Sequence, residues 1–377
     1  AIAAKDYFLL VGPPGTGKTS RALRRMVEKF YAQPETQILL LAYTNRAVDE
    51  ICSSLNAIAP AIDYIRIGSE LSCDERYREH LVENVLAPYH RRKEVRQRLS
   101  DCRVYVGTVA SLSSKTDLFK LKRFDVAIVD EATQILEPQL LWILSAKASD
   151  GQNAVGKFIL IGDHKQLPAV VLQRKEDSEV FDEGLRKIGL YNLKDSLFER
   201  LYRSHLIEGD SSVLDMLCRQ GRMHPDVALF PNQAFYGGRL EPVGLPHQVE
   251  EIVAPVVFVP SSVDKESLSG KTNIHEARIV ADWAERIYPV LQEVSVDTVE
   301  RYQGSERDVI IYSFCVNHRY QLKFLPNLTE ENGVQIDRKL NVALTRARKR
   351  LIVTGVAEIL KENAIYCSML NTFFPLK

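Results

Sequence analysis

The run GPPGTGKT at residues 12–19 constrains the fold of this chain more than any other feature. It fits the pattern G-x-x-x-x-G-K-[ST] and lies between an apolar run at 7–11 and a helical pattern at 19–31. Its glycines let backbone N–H groups close around phosphate oxygens, and the helix that follows adds partial positive charge. We therefore predict a strand, a loop and a helix that bind the phosphates of a nucleoside triphosphate. The alternative is a glycine-rich turn with a surface lysine.

The end of the loop and a pair of acids further along the chain supply candidates for binding phosphate and Mg²⁺ and for activating water. Lys18 is placed to reach the β- and γ-phosphates, and Thr19 to hold Mg²⁺. The apolar run at 126–129 ends in Asp130 and Glu131, at the edge of a sheet where α/β ligands bind. We predict that Asp130 contacts Mg²⁺ and that Glu131 activates the attacking water; alternatively, both acids favour a helix dipole. The loop residues predicted to bind the nucleotide are Gly12, Gly15, Thr16, Gly17, Lys18, Thr19 and Ser20.

Composition excludes several classes of protein. Of 377 residues, 45% are apolar and 26% charged, which is typical of a globular chain and not of a disordered one. No apolar run reaches about 18 residues, so we expect no membrane partner. The six cysteines are scattered without a CxxC pair, which favours a reducing compartment, the cytoplasm or a eukaryotic nucleus. Basic and acidic residues both total 49, so the net charge does not indicate a partner.

Apolar runs alternate with helical patterns along the chain, which predicts an α/β fold with parallel sheets. At roughly 150 residues per domain the length suggests two or three domains. We predict one domain over 1–205 and a second over 206–377, with a looser stretch at 173–212. The charged region 70–101 predicts a helical insertion of one or two long helices in the first domain. Strands are predicted at 7–11, 37–42, 104–107, 126–130, 158–162, 256–260, 295–299, 309–314 and 351–354.

Five segments, in order along the chain, resemble the motifs of superfamily 1B helicases, the branch of the nonsense-mediated-decay RNA helicase and the Okazaki-fragment nuclease-helicase. They are DEATQ at 130–134, GDHKQLP at 162–168, QGRMHP at 220–225, VDTVERYQGSERD at 296–308 and LNVALTRAR at 340–348. The resemblance implies two RecA-like P-loop NTPase domains with ATP bound between them. It also implies 5′-to-3′ movement along a single strand of nucleic acid. We expect the protein to be a monomer.

The later motifs supply the other residues expected to act on ATP. Gln166, in the motif at 162–168, is expected at the end of a strand beside the phosphate loop and to hydrogen-bond the γ-phosphate or the water. Arg222 and Arg346 are expected to act as arginine fingers. The alternative for Arg346 is a basic helix face in solvent. By resemblance, Glu306 reaches the ribose. Gly221 stands where the family usually has the tyrosine that packs on the adenine.

Polar residues after predicted strands are candidates for contacts with single-stranded DNA or RNA. Hydroxyl and amide donors directed at phosphates do not distinguish the two. Each hydroxyl or amide has an alternative as an ordinary helix N-cap. The basic run 91–98 has two equal interpretations, a phosphate contact and a solvated helix face. The candidate residues are Thr44, Asn45, Thr108, Ser111, Thr298 and Gln303.

The leading hypothesis is an ATP-driven helicase or translocase. The first alternative is a nucleic-acid-stimulated ATPase that remodels protein–nucleic-acid complexes without unwinding, and the second is a nucleotide switch without turnover. The family's strand before the motif at 296–308 has no counterpart here, because the helical pattern at 275–290 runs almost directly into Val296. We therefore expect residues to be missing near 291–296 and before Ala1, as in a fragment of a longer protein.

Overall fold

The computed structural model describes residues 1–174, 176–208, 212–267, 270–288 and 294–374. The chain divides into two compact units. The first contains residues 1–12, 17–164 and 168–217, and the second contains 13–16, 165–167 and 218–377. Position 205, the predicted domain boundary, lies within a helix, and the assignment of 1–205 and 206–377 to two RecA-like domains stays a prediction.

The described residues of the first unit form a seven-stranded sheet in which every pair of neighbours is parallel. Its strands are Tyr7–Val11 (β1), Ile38–Ala42 (β2), Tyr64–Ile67 (β3), Val104–Thr108 (β4), Val126–Val129 (β5), Phe158–Gly162 (β6) and Leu214–Met216 (β7). The strand order is β3-β4-β2-β5-β6-β1-β7.

The helices of this unit connect and cover the strands. A π-helical turn, Lys18–Leu23, leads directly into the first of them, and short 3₁₀ turns occupy Glu70–Ser72, Glu75–His80, Ala132–Gln134 and Glu176–Ser178. The α-helices are Arg24–Tyr31 (α1), Asn45–Asn56 (α2), Val82–Leu86 (α3), Arg92–Asp101 (α4), Val109–Ser113 (α5), Asp117–Leu121 (α6), Glu137–Leu144 (α7), Glu183–Lys187 (α8) and Leu197–Glu208 (α9).

The central strands are apolar throughout because both faces of the sheet are covered. Leu40 packs into one hydrophobic cluster, whereas Leu39 and Leu41 pack into the other, as alternation along a strand requires. The register pairs Val11 with Gly162 and Ala42 with Thr108. The carboxyl ends of these strands therefore lie at one edge of the sheet, where the loops with candidate residues begin.

The described residues of the second unit contain a three-stranded parallel sheet and two short strand pairs. In chain order the strands are Arg219–Gln220 (β8), Glu241–Pro242 (β9), Val256–Pro260 (β10), Arg307–Ser313 (β11), Leu328–Glu331 (β12), Val334–Asp337 (β13) and Ala347–Gly355 (β14). The sheet order is β10-β14-β11; β8 pairs with β9 in parallel, and β12 with β13 antiparallel.

Local sequence explains where the helices of the second unit begin and end. His224 caps the first of them, a proline opens it, and Gly237 ends it with a positive φ of 59°. The helices are Pro225–Tyr236 (α10), Pro246–Val249 (α11), Ile274–Ile287 (α12), Arg338–Leu344 (α13), Ala357–Leu360 (α14) and Ala364–Phe373 (α15), with a 3₁₀ turn at Arg319–Lys323. No helix in the described ranges is both long enough and apolar enough to cross a bilayer.

The α/β class and the parallel sheets are confirmed. The predicted strand at 295–299 is wrong, because these residues have no regular structure and Val296 is 93% exposed. The one or two long helices at 70–101 are also wrong: the region is helical, but in short pieces, and α3 ends just before Ala87–Pro88. Of the predicted gap near 291–296, residues 291–293 lie outside the described residues.

Candidate nucleotide and nucleic-acid sites

The phosphate loop begins where β1 ends. The Gly12 N–H donates to the carbonyl of Gly162, at 2.8 Å, and Lys18 folds back so that its Nζ donates to the Gly12 carbonyl, also at 2.8 Å. A Cβ at Gly12 would lie 2.1 Å from Cγ of Lys18, so a glycine is required for this approach. The loop therefore brings an ammonium group against its own backbone, as a phosphate cradle requires.

Positive φ angles allow the loop to turn into the helix. Gly17 has φ of 73°, and its carbonyl accepts hydrogen bonds from the N–H groups of Arg21 and Ala22. The hydroxyl and the backbone N–H of Thr16 both donate to the Pro13 carbonyl, at 2.7 and 3.3 Å, so a phosphate would have to displace one of these hydrogen bonds to bind Thr16. Ser20 is exposed in the first turn of the helix.

Thr19 and Asp130, the two predicted magnesium ligands, are in direct contact. The Thr19 hydroxyl donates to Oδ2 of Asp130 at 2.5 Å, and the Glu131 N–H donates to Oδ1 at 2.9 Å. Asp130 is 1% exposed, and burial raises the pKa of its carboxyl, against the opposing effects of the Thr19 hydrogen bond and the Lys18 charge. A buried carboxylate beside a hydroxyl is a donor set that suits Mg²⁺.

Glu131 is a non-glycine residue in the left-handed region, with φ of 51°. Such a conformation costs energy and is typical of functional sites. The 3₁₀ turn that follows it, Ala132–Gln134, has only three residues, so a favourable helix dipole is a weak explanation for the acid pair. The positive φ ends the strand direction immediately after Asp130, and the role of Glu131 in activating water stays a prediction.

In the second unit, Arg222 is held at both its backbone and its side chain. Its N–H donates to Oε1 of the buried Gln220 at 2.9 Å, and its carbonyl accepts from Nε2 of His247 at 2.9 Å. Its Nε donates to Oε2 of Glu306 at 2.6 Å. Sequence reasoning assigned Arg222 and Glu306 to different parts of the nucleotide and missed both their pairing and the role of His247, which has no signal in residue spacing.

Arg346 is 2% exposed and bonded on all three nitrogens. Its Nε donates to the Val342 carbonyl at 3.1 Å and its Nη1 to the Ser305 carbonyl at 3.2 Å. Its Nη2 donates to Oε1 of Gln166 at 2.8 Å. This hydrogen bond joins the motif at 162–168 to the motif at 340–348, and both residues belong to this unit. The alternative of a basic face in solvent does not describe this side chain.

The tip of the phosphate loop, residues 13–16, belongs to the same unit. Gly15 accepts a hydrogen bond from the Gly221 N–H at 2.8 Å. A Cβ at Gly15 would lie 2.4 Å from Cβ of Arg222, so this position also requires glycine. A Cβ at Gly221 would lie 3.1 Å from Leu245, whose side chain occupies the space beside the position where the family usually has tyrosine. The loop tip is thus packed against the segment that carries Arg222.

The nucleic-acid candidates of the first unit lie at the carboxyl edge of the sheet. Thr44 is exposed and caps α2, accepting from the Ala47 N–H at 3.2 Å, and Asn45 opens that helix. Thr108 is 6% exposed and caps α5. The Ser111 hydroxyl faces carbonyls of Ile67 and Thr108, at 3.1 and 3.0 Å. The capping alternative therefore accounts for Thr44 as well as for Thr108 and Ser111, and the two groups differ in that Thr44 and Asn45 are accessible whereas Thr108 is buried.

The remaining candidates are less enclosed. Thr298 is exposed, and Gln303 donates to the Leu167 carbonyl at 3.3 Å. In the basic run 91–98, Arg98 forms two hydrogen bonds of 2.8 Å with Asp63, whereas Arg92, Lys93 and Arg96 are exposed on α4. The geometry is compatible with both interpretations of this run.

Two family models, each described as an AAA domain, match the chain, one over residues 1–88 and 86–174 and the other over 193–291 and 284–358. Similar curated proteins include the DNA replication ATP-dependent helicase/nuclease JHS1 of Arabidopsis thaliana, 27% identical over 98% of this chain and 28% of that protein. The DNA replication ATP-dependent helicase/nuclease DNA2 of Gallus gallus is 28% identical over 96% of this chain and 35% of that protein.

The DNA polymerase alpha-associated DNA helicase A of Saccharomyces cerevisiae is 25% identical over 94% of this chain and 63% of that protein. The chain thus spans less than two thirds of the length of each of these relatives. Among solved structures, the Arterivirus nonstructural protein 10 helicase aligns with a TM-score of 0.50 at 15% identity, over 95% of this chain and 61% of that one, which indicates a shared fold. The two AAA-domain models together match residues 1–174 and 193–358, and with the five ordered motifs these matches support a helicase of the superfamily 1B type.

Proposed function

We propose that this chain is the motor region of an ATP-driven helicase or translocase that moves 5′-to-3′ on single-stranded nucleic acid. The observation that carries the proposal is the contact between Thr19 and Asp130, with Lys18 on the loop backbone and Glu131 in a left-handed conformation next to the carboxylate. A nucleotide-binding scaffold without turnover would have no need of the last of these.

The residues divide the chemistry among them. Backbone N–H groups of the loop and Lys18 would bind the phosphates, and Glu131 would orient and deprotonate the attacking water. Mg²⁺, held by Thr19 and Asp130, would neutralise charge on the phosphate oxygens. Gln166 would hydrogen-bond the water or the γ-phosphate. Each of these groups has an assigned task in hydrolysis, so we propose turnover and not binding alone.

We further propose that Arg222 and Arg346 stabilise the transition state of the same triphosphate, bound between two RecA-like domains. An arginine finger is effective only when it reaches the γ-phosphate, so hydrolysis would be coupled to domain closure and release. The order and spacing of the family motifs support this proposal. Glu306 as a ribose ligand is a separate expectation from the resemblance.

Single-stranded DNA is the first polymer to test, because the names of the similar curated proteins refer to DNA replication and DNA helicase activity. Thr44, Asn45, Thr298 and Gln303 are the proposed contacts. Donors of this kind bind the sugar–phosphate chain without reading sequence. A monomeric state and an intracellular location, in the cytoplasm or the nucleus, stay predictions.

The test compares ATP hydrolysis without polymer, with single-stranded DNA and with single-stranded RNA at one stated salt concentration. We expect stimulation by at least one polymer, and ATP-dependent opening of a duplex with a 5′ overhang in preference to a 3′ overhang. Stimulated hydrolysis without any unwinding would support a remodelling ATPase. Undetectable hydrolysis with saturating polymer would refute both.

A further inference from the structure

The short helix α11 contacts the segment that carries Arg222 through two buried side chains. Nε2 of His247 donates to the Arg222 carbonyl at 2.9 Å. Nε2 of Gln248 donates to the carbonyls of Gln220 and Met223, at 3.1 and 2.9 Å. His247 is 7% exposed and Gln248 is 3% exposed. Backbone carbonyls on both sides of Arg222, and its own, are therefore bonded to one helix.

The start of α11 fixes the direction of the Gln248 amide. Pro246 opens the helix, and Oε1 of Gln248 accepts a hydrogen bond from the Leu245 N–H at 3.1 Å. A backbone N–H only donates and a carbonyl only accepts, so Oε1 has to face Leu245 and Nε2 has to face the carbonyls of the neighbouring segment. The cap of the helix thus directs the donors that hold this segment.

Gln220 completes the set of bonds around Arg222 from within the same segment. Its Oε1 accepts from the N–H groups of Arg222 and Met223, at 2.9 and 2.8 Å, and its Nε2 donates to the Met223 carbonyl at 2.9 Å. The N–H and the carbonyl of both residues are thus bonded. A side chain whose backbone is fixed at both ends starts from a fixed origin and loses less conformational freedom when it binds a ligand.

The same segment lies against the tip of the phosphate loop, and both belong to the second unit. The Gly221 N–H donates to the Gly15 carbonyl at 2.8 Å, and a Cβ built on Gly15 would lie 2.4 Å from Cβ of Arg222. Any shift of the backbone at residue 222 therefore moves the origin of the arginine relative to the loop tip. Misplacing a catalytic group by about 1 Å can lower a rate by about 10²-fold.

We infer that His247 and Gln248 are positioning residues for the arginine finger Arg222. They act through backbone carbonyls of the segment and not on the nucleotide, and they hold the finger in place before the transition state forms, as electrostatic stabilisation requires. The inference rests on the proposed function, since it assigns α11 a task in the same hydrolysis reaction.

The test measures kcat and KM for ATP in His247→Ala and Gln248→Ala with saturating single-stranded DNA. We expect each to lower kcat about tenfold with KM changed less than about twofold, because the finger keeps its charge and loses its position. His247→Gln places an amide N–H near the position of the imidazole Nε2 and should recover most of the loss.

Gln321→Ala is the matched control for Gln248→Ala. The Gln321 side chain also holds the backbone of a loop in the second unit, where its Oε1 accepts from the N–H groups of Asn317 and His318, at 2.8 and 2.7 Å. That loop carries none of the proposed catalytic residues, so we expect kcat to be unchanged in Gln321→Ala.

A double-variant cycle separates positioning from a purely structural role. Arg222→Ala keeps the carbonyl that His247 binds, so removing His247 disturbs the backbone equally with or without the guanidinium. If His247 acts through the finger, Arg222→Ala/His247→Ala should be no slower than Arg222→Ala alone. A structural role predicts the same proportional loss in both backgrounds. Assays are run well below the Tm of each variant, and if His247→Ala does not fold, Gln248→Ala takes its place in the cycle.

Three outcomes would overturn the inference alone: unchanged kcat in both single variants, equal proportional losses in the cycle, or a loss of the same size in Gln321→Ala. Normal kcat in Arg222→Ala would remove the finger, and the inference with it. Absence of hydrolysis in the unmodified chain would instead overturn the proposed function as well.

Discussion

Asp130 in the first unit and Glu306 in the second are both carboxylates of nucleotide-handling motifs, yet their surroundings are opposite. Asp130 is 1% exposed and bonded to two uncharged donors, the Thr19 hydroxyl and the Glu131 N–H. Glu306 has a side chain that is 44% exposed and forms an ion pair with Arg222. A buried carboxylate with uncharged hydrogen-bond partners still favours a cation, whereas the charge of one already paired with arginine is partly neutralised. The difference predicts that Asp130 binds a metal ion and that Glu306 does not.

Lys18→Ala should have the largest effect, because it removes the only loop cation proposed to reach the β- and γ-phosphates. We expect tight ATP binding to be lost and hydrolysis to become undetectable. A titration with a fluorescent ATP analogue, together with a phosphate-release assay, measures both. Lys29→Ala is the control, since Lys29 is exposed on α1 of the same unit. Normal turnover in Lys18→Ala would remove the phosphate role from the loop.

Glu131→Gln should separate binding from chemistry in the first region. Loss of a general base lowers kcat by about 10²–10⁴-fold, whereas the phosphate contacts do not depend on this side chain. We therefore expect the variant to retain its affinity for ATP and to stall. Single-turnover hydrolysis measured beside equilibrium binding tests this. An unchanged kcat would show that another group activates the water, and that the left-handed backbone at residue 131 has another cause.

Arg222→Ala and Arg346→Ala test the arginines of the second region, and each should lower kcat by at least about tenfold, up to the roughly thousandfold expected of a finger. They should differ in stability. Arg346 is 2% exposed and bonded to Gln166, so its loss leaves buried acceptors without partners, and we expect a lower Tm as well. Arg222→Ala should leave Tm nearly unchanged.

Arg319→Ala is the control for both arginine variants, because the Arg319 side chain is 80% exposed and pairs only with Glu362 among the described residues. It should alter neither kcat nor Tm measurably. A loss of less than tenfold in either Arg222→Ala or Arg346→Ala would exclude that residue as a finger.

The phosphate loop and the acid pair of the first unit could be predicted from the sequence because the patterns that indicate them are local. The loop at 12–19 and the acids after 126–129 each follow an apolar strand, and parallel strands bring their carboxyl ends to one edge. The ion pair of Arg222 with Glu306 joins residues 84 positions apart and depends on packing that spacing does not encode. The predicted strand at 295–299 was wrong for a related reason, since β-branched residues form a strand only where a neighbouring strand accepts them.

Of the substitutions, Asp130→Asn should give the smallest measured change, a loss of the Mg²⁺-dependent increment in Tm. It tests the contrast between Asp130 and Glu306 most directly. We expect a non-hydrolysable ATP analogue to raise the Tm of the unmodified chain further with Mg²⁺ than with EDTA. If Mg²⁺ tightens binding by about tenfold, the increment in stability is about 1.4 kcal/mol, or roughly 2–4 °C in Tm. Asparagine keeps an acceptor oxygen for the Glu131 N–H, and its amide N–H can donate to the Thr19 hydroxyl in place of the bond that Asp130 accepts. It carries no charge, so this increment should disappear while the shift in EDTA remains.

Glu276→Gln is the matched control for this experiment. Glu276 is also fully buried, with uncharged donors from Ser313, Cys315 and Val316, and burial raises the pKa of its carboxyl as it does for Asp130. It lies in the second unit and belongs to no phosphate loop. The substitution should change the baseline Tm but preserve the Mg²⁺ increment. If Asp130→Asn kept the increment, or Glu276→Gln lost it, burial among uncharged donors would not identify the metal ligand, and the contrast between Asp130 and Glu306 would have no functional meaning.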